Sequence, residues 1–356
     1  MTREALKLTT YFGERDRADG VFLADALLDL CERQGVQVSV LVRGTEGFGL
    51  KHRLQSQRLL TLSEDLPVVT VAVDAAERIR ALLPEVVART GDGLVTLERA
   101  RMLTGGLEAG ALDGSHDATK LTLYVGRHER AGGRPAHLAV VDLLHRRGIA
   151  GATVLLGVDG TVGGERRRAR FLAGNADVPV MIISVGDGDR IAAVLPEIAA
   201  LLPRPIATLE DVQVCKRDGR LLSPPRRWPE RDASGLGVWQ KLMVYASEQA
   251  RHEGRPLYLE LVRRLRAAGA AGATALRGVW GYHGDHVPHG DRFWALARRV
   301  PVVTVIVDTP ERTQAWFEIV DELTAETGLV TSEMVPALRA TGPDLEHGGL
   351  ELSGPA

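Results

Sequence analysis

The feature that most constrains this chain is that it is written three times. KLTTYFGE begins at Lys7, KLTLYVGR at Lys120 and KLMVYASE at Lys241, steps of 113 and 121 residues. The same steps join Gly35, Gly148 and Gly269, and again Gly44, Gly157 and Gly278. Pro67, Pro179 and Pro301 each precede an apolar run, and Glu98, Glu210 and Glu333 close the units. Several anchors sharing one offset define repeats of about 100 residues, too long for a solenoid and long enough for small domains. The units are placed at 1–104, 118–216 and 238–340, with Gly- and Pro-rich linkers at 105–117 and 217–237 and a tail at 341–356.

Within the first unit the hydrophobic period alternates between strand and helix. Leu6 to Phe12 alternates as a strand, Val21, Phe22, Leu27, Leu28 and Cys31 recur at helical spacing, and Gly35 sits where a helix stops. Val36 to Val42 and Val68 to Val73 read as strands, Ile79 to Arg89 as a second helix, and Leu94 to Leu97 as a short last strand. The order is βαββαβ, so the expected class is α+β, with three ferredoxin-like units. Two helices on one side of each sheet leave its other face bare. Three bare faces in one chain can cover each other as an intramolecular pseudo-trimer, and fusion lowers the association cost of about 4–15 kcal/mol per encounter. Three independent beads are the alternative.

Composition narrows the classes. With 44 Lys+Arg against 46 Asp+Glu the formal charge is -2, which argues against a nucleic-acid partner. No apolar run approaches the ~20 residues of a membrane span, the N-terminus does not read as a secretory signal, and Cys31 and Cys215 lack metal-type spacing. A cytoplasmic protein without membrane insertion is expected.

The runs RGTEGFG (Arg43 to Gly49), LSEDLPVV (Leu62 to Val69) and HEGRPLY (His252 to Tyr258) resemble the PII-like signalling proteins, in the branch catalogued as a domain of unknown function. The resemblance implies trimeric packing, adenine nucleotides or similar small anionic effectors in the inter-unit clefts, and a loop between the second and third strands that touches a partner. That partner would be a membrane channel or transporter, or an enzyme. It implies no catalytic residues and no obligate cofactor. Residue by residue, it assigns ligand binding to the turn Arg89, Thr90, Gly91, Asp92 and Gly93, to the basic pair Arg99 and Arg101, and to the loop base Gly44, Glu46 and Gly47. Leu94 stands where the family has a lysine. The second unit has LPRPIA (Leu202 to Ala207) in place of the glycines, and the third keeps only Thr327 and Gly328, so the first unit's turn is favoured.

The residues themselves leave bland readings open. Gly91 and Gly93 suit either an anion-binding nest or a helix stop with a tight turn. Lys51, His52, Arg53 and Arg58, like Glu165 to Arg170 in the second unit, are either a solvated loop or a docking arm. His283, Asp285, His286 and His289 could hold a transition metal, but Pro288 prevents a helix from fixing them and a polar loop is preferred. Tyr11, Tyr124 and Tyr245 share one strand position and read as packing. No Walker loop, nucleophile elbow or HExxH is present, so no motif supports an enzyme. A ligand-free interaction adaptor and a metal-binding protein are the competing readings.

Overall fold

In a computed structural model, residues 2–49, 55–56, 66–91, 93–107, 118–167, 178–231, 237–283, 288–290 and 300–340 are described. Each repeat has four main strands and two helices. In the first, the strands are Thr2–Gly13, Val38–Arg43, Pro67–Ala75 and Leu94–Thr104, with α1 (Leu23–Arg33) and α2 (Ala76–Arg89) between them. The second has strands Ala118–Gly126, Gly151–Leu156, Pro179–Gly186 and Ile206–Arg217, with α3 (Ala136–Arg146) and α4 (Gly188–Leu201). The third has strands Trp239–Ser247, Ala273–Arg277, Pro301–Asp308 and Leu329–Val335, with α5 (Leu257–Ala267) and α6 (Pro310–Leu323). In every unit the first strand lies between the third and fourth, and the second pairs with the third, all antiparallel.

Local chemistry explains the helix boundaries. α1, α3 and α5 stop at Gly35, Gly148 and Gly269, whose φ values of 59°, 67° and 85° are cheap only for glycine. The inward stripes pack on one sheet face in each unit: Leu27, Ile79 and Leu82 in the first, Val140, Leu144 and Ile191 in the second, Leu261, Leu265 and Val320 in the third. Each such side chain, fully buried, contributes about 1.5–3 kcal/mol.

The opposite sheet faces meet one another. A single shared core takes Val40, Val71 and Met102 from the first unit, Tyr124, Leu155 and Ile183 from the second, and Met243, Leu276 and Val305 from the third.

Backbone pairing closes the arrangement twice. Each second strand continues past a short turn into a root strand that adds to a neighbour's second strand: Glu46–Phe48 on Ala273–Ala275, Trp280–His283 on Gly151–Val154, and Asp159–Val162 on Val38–Leu41. The last strands also reach onward. Arg101–Thr104 pairs with Ile206–Leu209, Gln213–Arg217 with Leu329–Ser332, and the extension Ala337–Ala340 with Leu94–Leu97. The last strand of the first unit is accordingly 11 residues long and extends past Leu97, because its far end belongs to the neighbour's sheet.

Two details differ from the sequence reading. Val21 and Phe22 lie outside α1, in a hairpin strand paired with Arg17 and Ala18, and are exposed, with the Arg17 guanidinium 4.2 Å over the Phe22 ring. The linker at 217–237 packs on the units over its described part. It turns back as a hairpin at Asp218–Gly219 and is held down through Gln213 to Ser223, Gln240 to the Arg226 carbonyl, and Gln314 to the Pro225 carbonyl. Among the described residues no helix is long and apolar enough to cross a membrane.

Candidate functional site

Each seam is built around two glycines of a loop root. Gly44, Gly157 and Gly278 donate their N–H groups to the carbonyls of Pro67, Pro179 and Pro301 at 2.7–2.8 Å. The next residues, Thr45, Val158 and Val279, donate across the seam to Ala275, Leu41 and Val154. At the second glycine a side chain would collide with the neighbouring strand: a Cβ would lie 2.8 Å from the Ala273 oxygen at Gly47, 2.0 Å from the Ser39 oxygen at Gly160, and 2.2 Å from the Ala152 oxygen at Gly281. Gly44 and Gly47 thus serve strand-to-strand approach, and Glu46 is buried with them.

The seam between the second and third units contains a groove with a volume of about 30 Å³. Its walls are Thr153 and Ile183 of the second unit and Tyr245, Tyr282 and Leu329 of the third, with Arg217, Asp218 and His283 also lining it. Tyr282 is fixed by donating its hydroxyl to the Ile149 carbonyl at 2.9 Å and by the edge of the His145 ring, 4.9 Å between centroids. Burial holds both tyrosine hydroxyls well above their ordinary pKa, so they stay protonated.

The basic pair does not join the glycine turn. Gly93 immediately precedes the last strand, and Arg99 lies six residues along it, roughly 20 Å away in extended chain. Arg99 is exposed, and Arg101 points to Asp211 of the second unit at 3.6 Å. Arg339 of the third unit stands opposite Val95 on that last strand, and the Arg339 Nε is buried with no hydrogen-bond partner. Arg89 pairs with Glu85 at 2.8 Å on α2. Thr90 donates its hydroxyl to the Val86 carbonyl, a Cβ on Gly93 would meet Thr90 Cγ2 at 2.6 Å, and Gly91 has open space around it. Gly93 is therefore accounted for by the tight helix stop.

Asp92, Lys51, His52, Arg53, Arg58, Asp285 and His286 lie outside the described residues. His283 sits in the seam groove, and His289 is placed by its backbone, paired with Gly281. In the second unit Arg166 joins the seam with the first: it pairs with its own Asp159 at 2.9 Å and with Asp29 and Glu32 on α1.

Sequence reading missed the most ordered group of charges. Lys7, Lys120 and Lys241 are the cross-strand partners of Glu98, Glu210 and Glu333 in their own units. Each ammonium also reaches the glutamate of the following unit, so the six charges form a closed alternating ring. Its contacts are Lys7 with Glu98 (3.2 Å) and Glu210, Lys120 with Glu210 (3.0 Å) and Glu333 (2.5 Å), and Lys241 with Glu333 (2.9 Å) and Glu98 (2.5 Å). All six are at least nine-tenths buried. Burial opposes every one of these charges, but the facing carboxylates more than offset it at Lys7 and Lys241, whose pKa values rise. At Lys120 burial prevails and the value falls. Burial likewise pushes Glu98 and Glu333 up, and the surrounding ammoniums overcome it, leaving Glu98 far below the usual carboxylate range and Glu333 at about 2. The available clue was a Lys and a Glu recurring at fixed places in all three otherwise β-rich repeats.

The DUF190 family model, described as "Uncharacterized ACR, COG1993", matches residues 5–102, 118–214 and 239–337. The chain belongs to the DUF190 family. The PII-like resemblance read from the sequence, with three tandem copies, is borne out. Among curated proteins, a UPF0166 protein of Aquifex aeolicus is 30% identical over 97 residues, covering 27% of this chain and 90% of the relative. A UPF0166 protein of Methanocaldococcus jannaschii is 27% identical over 92 residues, 25% of this chain and 84% of that protein. Each relative thus matches about one DUF190 repeat. Aspartate kinase from Synechocystis aligns at a TM-score of 0.24 and 11% identity over 96% of this chain and 46% of that one, a likeness too slight to inform the fold.

Proposed function

We propose that this DUF190 protein is a non-enzymatic, cytoplasmic regulatory protein. Three ferredoxin-like units close into an intramolecular pseudo-trimer, a small anionic metabolite, an adenine nucleotide first among them, enters a seam, and the loops carry the bound state to a partner protein. The threefold repetition of seam contacts and the shared core support the pseudo-trimer. The observation that carries the functional reading is the groove between the second and third units. It is walled by two units, lined by the root strand Trp280–His283 of a loop, and supplied with a cation by Arg217 at the end of the neighbour's last strand. A ligand there touches a loop root directly. It can shift the loop only by binding one loop state better than the other.

The test is a thermal-shift panel of ATP, ADP, AMP and cyclic nucleotides on the full chain and on Arg217→Ala. A ligand at 100 times its dissociation constant adds about 2.7 kcal/mol, an easily read shift. A nucleotide-induced shift that Arg217→Ala abolishes supports the reading. No shift with any nucleotide, or one that Arg217→Ala leaves intact, overturns it, and the first of these outcomes favours a ligand-free adaptor.

A further inference from the structure

A second cavity lies on the shared axis, away from the seams, with a volume of about 60 Å³. Its polar lining is one-sided. Of the six ring members, Lys7, Lys120 and Lys241 line it and none of the three glutamates does. Thr9, Thr122, Tyr11 and Tyr124 complete the polar surface. The rest is apolar, including Val42, Val71, Leu155 and Met181.

The donors there are not used up. An ammonium has three N–H groups, and each lysine meets two carboxylates, which leaves one N–H apiece. The Tyr124 hydroxyl is buried in a residue only 1% exposed, and its one polar neighbour, the Thr208 hydroxyl, stands outside good hydrogen-bond geometry. A buried unmet donor costs about 1–3 kcal/mol. Water could donate to the Thr9, Thr122 and Tyr11 oxygens, but each molecule adds two more O–H donors to a lining that already holds three ammoniums. An anion accepts from several donors and brings none. Roughly 10–15 Å³ of such space holds one water, so the volume suits a halide or a planar oxyanion.

We propose that this axial cavity is a binding site for one small monovalent inorganic anion, held by Lys7, Lys120, Lys241 and Tyr124. The site is independent of the nucleotide reading and of the seam groove. Its occupant ties the three units together from within, since each unit supplies one ammonium.

The experiment is a crystal of the full chain grown in high bromide and measured at the bromine absorption edge. It is paired with thermal shifts in bromide and nitrate, at ionic strength matched with a bulky organic anion. The expected result is an anomalous peak on the axis within hydrogen-bonding distance of the lysine Nζ atoms, and stabilisation by bromide and nitrate beyond the matched control. Tyr124→Phe keeps the ring and the packing, and should weaken the anion about tenfold. A cavity with only water-like density and no anomalous signal would overturn the proposal, as would an unchanged bromide response in Tyr124→Phe. Arg217→Ala should leave the bromide response intact, which separates this site from the seam.

Discussion

Lys120 stands between Glu210 of its own repeat, 3.0 Å away, and Glu333 of the next, 2.5 Å away. The same bridge is made by Lys7 and Lys241, so each ammonium joins two units and the chain of bridges returns to its start.

Removing one bridge should therefore be felt by two repeats at once. Lys120→Met keeps the stem's volume but leaves Glu210 and Glu333 each short of a cation in a buried site. Breaking a buried pair from one side typically costs about 3–5 kcal/mol. Equilibrium urea unfolding should show a loss of that size, and a loss below about 1 kcal/mol would contradict the ring as drawn.

Acid should open the ring, and on the alkaline side Lys120, whose pKa is lowered by burial, should lose its proton before Lys7 and Lys241 do. Glu98 and Glu333 have depressed pKa values in the folded chain, so the stability they contribute is present above the unfolded carboxylate value near 4.5 and fades as pH falls toward about 2. Lys7 and Lys241 are raised, so their contribution persists until pH rises beyond the ordinary lysine value of 10.5. Unfolding free energy followed from pH 7 to 3 should fall most steeply below about 4.5, and the slope should be shallower in Glu98→Gln.

The root glycines and the turn glycine should behave oppositely. In Gly160→Ala the new Cβ would lie 2.0 Å from the Ser39 oxygen at a φ of 148°, so overpacking and backbone strain act together, at a cost of roughly 2–4 kcal/mol. Gly91→Ala meets nothing within 4 Å and should change stability by less than about 1 kcal/mol. Thermal unfolding of the two variants side by side checks the difference.

Arg166→Ala tests the seam between the first two units. It strips Asp159, whose side chain is 6% exposed, of its guanidinium, and cuts the links to Asp29 and Glu32. A loss of about 2–4 kcal/mol is expected, with partial recovery in the Asp159→Asn, Arg166→Ala pair. An additive double mutant would show that the pair does not interact.

Much of the fold was legible because period is a local property. The repeat offsets, the alternation in Leu6 to Phe12 and the stops at Gly35, Gly148 and Gly269 all reappear in the structure. What escaped depends on partners far away in sequence. Lys7 reads as the polar face of an amphipathic strand, and nothing nearby says that its counter-charge lies 203 residues on at Glu210. The resemblance groups Arg101 with Gly91, whereas in the structure its guanidinium faces Asp211 of the second unit. Val21 and Phe22 fit a helical stripe by spacing, yet a hairpin turn at Asp19–Gly20 pulls them out of α1.

The two circuits of strand pairing run in opposite senses around the axis. Loop roots add each unit to the one before it, and last strands add each unit to the one after. Among the described residues, the second and fourth main strands that border each repeat are thereby paired along part of their length, which covers amides that could otherwise template a foreign strand. A single repeat cut from this chain would bare both borders together with half-finished apolar walls, and should clump in water where the intact chain does not.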